Sequence, residues 1–207
     1  MGAASQALDD LGPLAGGAHA CAFFADEEEE YRALLPFTRD CLDCGERCLN
    51  FLHPEHRGDR LARLAQDSIA TGEALASGQL ELRTWQETTL QDDRFDQDRM
   101  LARIDELVVR GAGPFPRTRL WANMEWSLSG LPGCEQLVEF ESRVNTVLER
   151  SNDIAVCVYD VRRYGASMAM DILRTHPLVV VGGNLRTNAL YVPSSSFLPE
   201  YRQRRGR

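Results

Sequence analysis

Apolar positions recur along the chain with two periods, and the switches between them predict alternating strands and helices. His19-Ala-Cys-Ala-Phe-Phe24 alternates strictly, which sets His19, Cys21 and Phe23 on one face of a first strand and small alanine surface on the other. Asp26 follows as a helix N-cap, with Glu27 to Glu30 in the first turn, where the helix dipole favours carboxylates. The acidic run reads as a helix start, against the alternative of a metal site. Gly45 marks the end of that helix, and residues 47–52 read as strand two, broken by His53-Pro54. Residues 60–70 carry helical spacing, and 79–85 alternate as strand three. Asp96 opens a helix through Met100, Leu101, Ile104, Leu107 and Val108, stopped by Gly111-Ala-Gly-Pro114. Strand four is 118–124, a long amphipathic helix covers 137–150, and 154–159 is a continuous apolar run of the kind buried on both faces. A short helix over 167–175 precedes strand six at 178–181 and a last strand at 189–192.

Strands alternating with helices imply an α/β fold: a mainly parallel sheet with right-handed crossovers and helices on both faces. Only Gly182-Gly183-Asn184 separates the last two strands, so they are expected as an antiparallel hairpin at the C-terminal edge. The 207 residues suit one compact unit. Residues 1–17, rich in Ala and Gly, read as a flexible leader, 18–198 as a single domain, and 199–207 as a basic tail. The tail arginines, Arg202, Arg204, Arg205 and Arg207, read as a frayed end or a small anionic contact.

Composition narrows the function. Apolar residues at 43% and charged residues at 26% are ordinary for a globular chain, and a net charge of -8 argues against a nucleic-acid surface. No apolar run approaches the ~18 residues of a membrane span, and no secretory pattern opens the chain. The six cysteines are therefore read as reduced thiols or ligands of a cytoplasmic protein. All 23 basic residues are arginine. Without lysine there is no phosphate loop of the G-x-x-x-x-G-K-[ST] type and no lysine Schiff base, so no nucleotide bound through such a loop is expected.

Ligands of open parallel sheets bind beyond the carboxyl ends of the strands. The residues there are Glu87 and Thr88, then Asn123, Glu125 and Trp126, then Tyr159, Asp160, Arg162 and Arg163. Together they offer an aromatic wall, carboxylates and two guanidinium forks, suited to a polar or mixed ligand; the competing reading is local ion pairs and packing. Cys41, Cys44 and Cys48, with His53 and His56 nearby, could hold zinc, but no second C-x-x-C completes a tetrahedral set, and buried thiols packing as small hydrophobes are the favoured reading. His19 and Cys21 share a strand face and could meet a ligand or a metal, or simply pack. His176, just before strand six, reads as structural. Neither G-x-S-x-G nor G-x-G-x-x-G occurs, and no catalytic constellation emerges.

Several segments together resemble a known family. They are His19-Ala-Cys-Ala-Phe-Phe24 with the acidic helix start, Leu75-Ala-Ser-Gly-Gln-Leu80, Arg94-Phe-Asp-Gln-Asp-Arg-Met100, Met124-Glu-Trp126, Tyr159-Asp-Val-Arg-Arg163 and Leu173-Arg-Thr-His-Pro-Leu178. In that order, over residues 19–197, the chain is similar to the MEDS domain, the sensory domain of methanogens, methylotrophs and the dichloromethane-responsive repressor. The resemblance implies a RecA-like fold related to the circadian-clock and recombinase ATPases without their phosphate loop. It also implies a signalling role with small hydrocarbon derivatives as ligands. The family's His-x-Cys falls on His19 and Cys21, and its Tyr-Asp-x-Arg-Arg on Tyr159, Asp160, Arg162 and Arg163. One departure stands out: where the family has Gly-Glu-Met-x-Trp, this chain has Ala122-Asn-Met-Glu-Trp126, so Asn123 replaces a carboxylate that in ATPase relatives would serve Mg²⁺ or water. Glu125, on a strand, would point the other way.

The expectation is thus a non-catalytic sensory domain that binds a small molecule and regulates a protein partner: a kinase, an anti-sigma factor or a transcription factor. No direct nucleic-acid or membrane partner is expected, and a homo-oligomer is left open. The alternatives are an interaction module without ligand, a thiol or metal redox sensor working through Cys41 and Cys44, and, less favoured, a nucleotide hydrolase using Arg162 or Arg163 with Glu87 or Glu125.

Overall fold

The computed structural model describes residues 17–181 and 184–206. The expected leader lies outside them except for Gly17, which packs so close to the Leu148 carbonyl that a Cβ would sit 2.0 Å from its oxygen. The chain runs β1 (Ala18–Phe24), α1 (Glu27–Asp43), β2 (Arg47–Leu52), α2 (Arg57–Gln66), α3 (Thr71–Ala76), β3 (Leu80–Thr84), α4 (Trp85–Thr88) and α5 (Gln97–Ile104). It continues through β4 (Thr118–Asn123), α6 (Leu137–Leu148), β5 (Ile154–Asp160), α7 (Ala166–Thr175), β6 (Leu178–Val181), β7 (Asn184–Thr187) and α8 (Ser194–Arg205).

The seven strands form one sheet in the order β3-β2-β4-β5-β1-β6-β7, parallel throughout except for the β6–β7 hairpin at the edge. The expected architecture is therefore the observed one. Strands β1 and β5 pair in register, His19 beside Ala155 and Cys21 beside Cys157. Alternation then divides the core by faces. Ala20, Ala22, Trp121, Val156 and Val158 meet Tyr31, Leu34, Phe37 and Leu64 of α1 and α2. Cys21, Leu120, Ala122, Cys157 and Tyr159 meet Met100, Ile104, Phe140 and Val144 of α5 and α6.

Local chemistry sets the element ends. The Asp26 carboxylate accepts from the Glu29 amide at 2.8 Å, capping α1, and Glu29 in turn accepts from the Ala25 amide at 2.7 Å. Asp96 caps α5 through the Asp98 and Arg99 amides, as its position before the apolar stripe implied. Gly133, at φ +90, lets its loop close over Phe95, whose carbonyl oxygen would stand 2.0 Å from a Cβ there.

Four expectations need correction. The helix expected over 60–70 begins at Arg57, just past the Pro54–His56 turn, and stops at Gln66. Trp85 ends strand three by starting α4. The last strand is Asn184–Thr187 rather than 189–192, because pairing resumes directly after residues 182 and 183. The tail is no frayed end: Arg202, Arg204 and Arg205 belong to α8, anchored by Phe197 and Tyr201 against Val138, while Arg207 lies outside the described residues. Arg202 pairs with Glu139, and Arg204 reaches Asp171 at 2.6 Å.

Candidate functional site

Two places around β5 gather polar chemistry, and Tyr159 belongs to both. The first is the cleft at the carboxyl ends of β1, β4 and β5, bordered by Phe24, Asp26, Glu27, Glu30, His56, Asn123, Glu125, Val158, Tyr159 and Asp160. Five of these ten residues are carboxylates. The guanidinium forks expected to face a ligand are turned to neighbours instead: Arg163 pairs with Glu125 at 2.5 Å and Arg162 with Asp160 at 2.9 Å. Hydrogen bonds from Arg162 hold the Asp160 carboxyl below its usual range, whereas burial pushes that of Glu125 up, against the opposing pull of Arg163. Glu125 is not on a strand, as the sequence suggested, but opens the 3-10 turn Glu125–Leu128 that follows β4.

Glu87 and Thr88 are not brought to this cleft. Glu87 closes a capping box with Thr84 and pairs with Arg57 at 3.1 Å, and the buried Thr88 hydroxyl donates to the Thr84 carbonyl at 2.9 Å. Trp126 is fully buried, its ring 4.2 Å from that of Phe95. It forms a wall of a largely enclosed, almost wholly apolar cavity between the sheet and α5–α6. Phe51, Thr89, Met100, Ile104, Leu120, Ala122, Asn123, Met124, Phe140, Val144, Ala155 and Cys157 complete its lining. Its volume is about 20 Å³, where about 10–15 Å³ suffices for one water. Asn123, the residue that replaces a carboxylate, borders both this cavity and the acidic cleft.

The second polar place lies under β1 and β5, against α6 and the end of α7, and all of it is buried. His19 Nε2 stands 3.1 Å from Glu141 Oε2 and 3.4 Å from Cys157 Sγ. His176 Nε2 stands 3.3 Å from the same Glu141 oxygen, and Cys157 Sγ 3.5 Å from it. The Tyr159 hydroxyl donates to Glu141 Oε1 at 2.6 Å. Burial opposes ionisation of Glu141, yet the two imidazoles outweigh it and hold the carboxyl well below its usual range. Burial lowers His19, and burial with the Glu141 charge raises both Cys157 and Tyr159.

Of this group the sequence singled out His19 and Tyr159 as ligand candidates; Cys21, named with His19, stands beside Cys157 on the neighbouring strand. The Cys21 thiol faces the Leu178 carbonyl at 3.8 Å, and burial raises it. His176, read as structural, is buried at the end of α7 with its Nδ1 2.8 Å from the Ile172 carbonyl. Glu141 and Asn145 were missed, though a signal was present: they sit at i and i+4 within the apolar stripe of Leu137, Phe140, Val144 and Leu148. Charged or amide side chains on such a stripe imply a buried partner.

The zinc set considered around the first helix does not assemble. Cys41 and Cys48 are buried on the α1 face, where hydrogen bonding to Cys48 first, and then burial, raises the Cys41 thiol. Cys48 also contacts the Thr38 hydroxyl and the Asn50 amide. Cys44 is exposed, and His53 lies beyond the opposite end of β2, edge-on to Trp85. A Cys41–Cys44 thiol switch would thus have one partner buried and one outside.

Comparison with known proteins fits this architecture. Residues 18–177 match the family model described as MEDS, the methanogen/methylotroph, DcmR sensory domain. The chain is 26% identical over 161 residues to the transcriptional repressor DcmR of Methylorubrum extorquens, covering 76% of this chain and 57% of that protein's length. In structure it is similar to a KaiC-like protein from the archaeon Pyrococcus horikoshii, with a TM-score of 0.57 at 12% identity over 79% of this chain and 70% of that one. The fold is therefore RecA-like. Among the described residues no helix is long and apolar enough to cross a membrane.

Proposed function

The chain belongs to the MEDS family, and from that premise we propose that it is a non-catalytic sensory module. It takes up a small, uncharged hydrocarbon derivative in the inner cavity and passes its state to a protein partner in transcription or signal transduction. The observation that carries the reading is the cavity itself. It is apolar and largely enclosed, with room at rest for about one water, so a ligand of a few heavy atoms enters as the lining side chains give way. Burying such a ligand contributes roughly 25 cal/mol per Å² of apolar surface and leaves no polar group unpaired.

The acidic cleft supports the non-catalytic part. In phosphate-binding relatives of this architecture, anions dock at the N-terminus of the helix after β1. Here that terminus is satisfied by the chain's own Asp26 and Glu29, with Glu27, Glu28 and Glu30 beside them. A phosphate would meet carboxylates rather than free amides. A partner that reads the module is supported by the relative's description as a transcriptional repressor; the present chain spans just over half of that protein's length.

The test uses the methyl groups of Met100 and Met124, which line the cavity, as carbon-labelled NMR reporters during a dichloromethane titration. Saturable shifts of these two methyls, abolished in Ala122→Leu where the added side chain fills the space, are expected. Methyls that stay in place up to the solubility limit of the probe, in a protein that remains folded, would remove the reading.

A further inference from the structure

We propose that His19, Glu141, Cys157 and His176 form a closed, four-ligand site for a borderline divalent metal ion of the zinc class. The inference is independent of the small-molecule reading and stands on proton counting and distance.

The tautomers follow from the outer partners. Asn145 donates its amide hydrogens to the Thr175 and Ser142 carbonyls, at 2.8 and 3.1 Å. Its Oδ1 is thus the atom that faces His19 Nδ1 at 3.1 Å, and that nitrogen carries the hydrogen. His176 Nδ1 lies 2.8 Å from the Ile172 carbonyl, which only accepts, so it carries a hydrogen too. With both rings neutral, the two Nε2 atoms turn bare lone pairs inward, whereas an imidazolium at either ring would pair its Nε2–H with Glu141 instead. His176 Nε2, on a side chain with no exposure, has no hydrogen-bond partner although Glu141 Oε2 is 3.3 Å away. Four acceptors (two imidazole nitrogens, a carboxylate oxygen and a sulfur) therefore converge on a dry point with a single thiol proton among them. Unpaired convergence of that kind is costly without a cation at its centre.

The spacing is that of a coordination shell. Metal–nitrogen or –oxygen bonds of about 2.0–2.1 Å and metal–sulfur bonds of about 2.3 Å put tetrahedral ligand atoms roughly 3.3–3.6 Å apart. The four measured separations run from 3.1 to 3.5 Å, and all four donor atoms lie within 4.8 Å of one another. Imidazole with one thiolate and one carboxylate is a donor set that suits zinc and its neighbours rather than calcium or magnesium. The outer shell is complete: Asn145 holds His19, the Ile172 carbonyl holds His176, and the Tyr159 hydroxyl takes the second oxygen of Glu141. On binding, the Cys157 S–H bond breaks, its proton passes to solvent, and a metal–sulfur bond forms. The dication, the carboxylate and the thiolate then sum to zero charge, which suits a fully buried place.

The test is cobalt(II) titration of the full chain after chelator treatment, read by absorption. One equivalent is expected to give tetrahedral d–d bands and a thiolate-to-cobalt charge-transfer band, with a rise in melting temperature. Cys157→Ser should lose the charge-transfer band, whereas Cys21→Ser and Cys44→Ser should keep it. Asn145→Leu, which removes an outer partner, should weaken binding about 10–100-fold. Wild-type protein that takes up no stoichiometric cobalt overturns the proposal, and this arm does not depend on any variant folding. A charge-transfer band that disappears with Cys41→Ser or Cys48→Ser instead would overturn the placement. Because no small molecule enters the assay, failure here leaves the cavity reading intact, and failure of the methionine titration leaves this one intact.

Discussion

The acidic cleft and the buried histidine cluster are built from the same strand, β5, yet they handle charge in opposite ways. In the cleft, Glu125 and Asp160 each keep an arginine from the following loop, and water shares the load: Arg162 and Arg163 are about half or more exposed. In the cluster every side chain is buried, and among the described residues Glu141 is held by His19, His176, Cys157 and Tyr159. The contrast separates what each place is fit for. Exposed pairs can be exchanged at small cost, so the cleft is free to vary, whereas a dry acceptor cluster has to be filled or neutralised as a unit.

The largest test of this contrast is Glu141→Ala, which leaves two imidazoles and a phenol facing an empty polar hole. A loss of about 3–5 kcal/mol in urea unfolding is expected. A loss within the range of a surface change would mean that the cluster is wetter than the structure shows. Tyr159→Phe, at the boundary of the two places, removes one hydrogen bond to a buried carboxylate and should cost about 1.5–3 kcal/mol by the same assay. Arg163→Ala, in the cleft, should cost under about 1 kcal/mol, and less at high salt.

The pH response sharpens the comparison further. Glu125 holds its proton more tightly in the folded chain than its ordinary 4.5, so its effect on stability is most favourable when protonated and declines as pH rises from there through its folded value. Asp160 is the reverse: its contribution is present above its ordinary 3.8 and is lost as pH falls through its lowered folded value. In urea midpoints measured against pH, Glu125→Gln should remove the first slope and Asp160→Asn the second. Identical profiles for the two variants would show that the cleft does not discriminate between its carboxylates.

Much of the fold was legible because its signals are local. Strands β2 and β6 lie where alternation and Pro or Gly punctuation put them, and Asp26 and Asp96 cap the helices that their positions announced. β7 was misplaced since Asn184–Thr187 has one buried apolar residue, Leu185, while 189–192 looks more strand-like by composition alone. α8 was missed because serines and Pro199 dilute its pattern, leaving two aromatic anchors, Phe197 and Tyr201, one turn apart. The cluster was half visible. His19 stood out, but its meeting with His176 is a product of tertiary folding: β1 pairs with both β5 and β6, and so brings the end of α7 beside residues far removed in sequence. The polar pair Glu141 and Asn145 on an apolar helix stripe was the local trace of that meeting.

The near-closure of the inner cavity also bears on time. Apart from Asn123, every residue of its lining is buried, so anything larger than a water passes only where side chains of the wall move aside. Such openings take microseconds to seconds rather than the nanoseconds of a surface groove. A module of this build would report the average of its recent surroundings instead of each passing fluctuation, and the residue at the shared border, Asn123, is where that delay would be set.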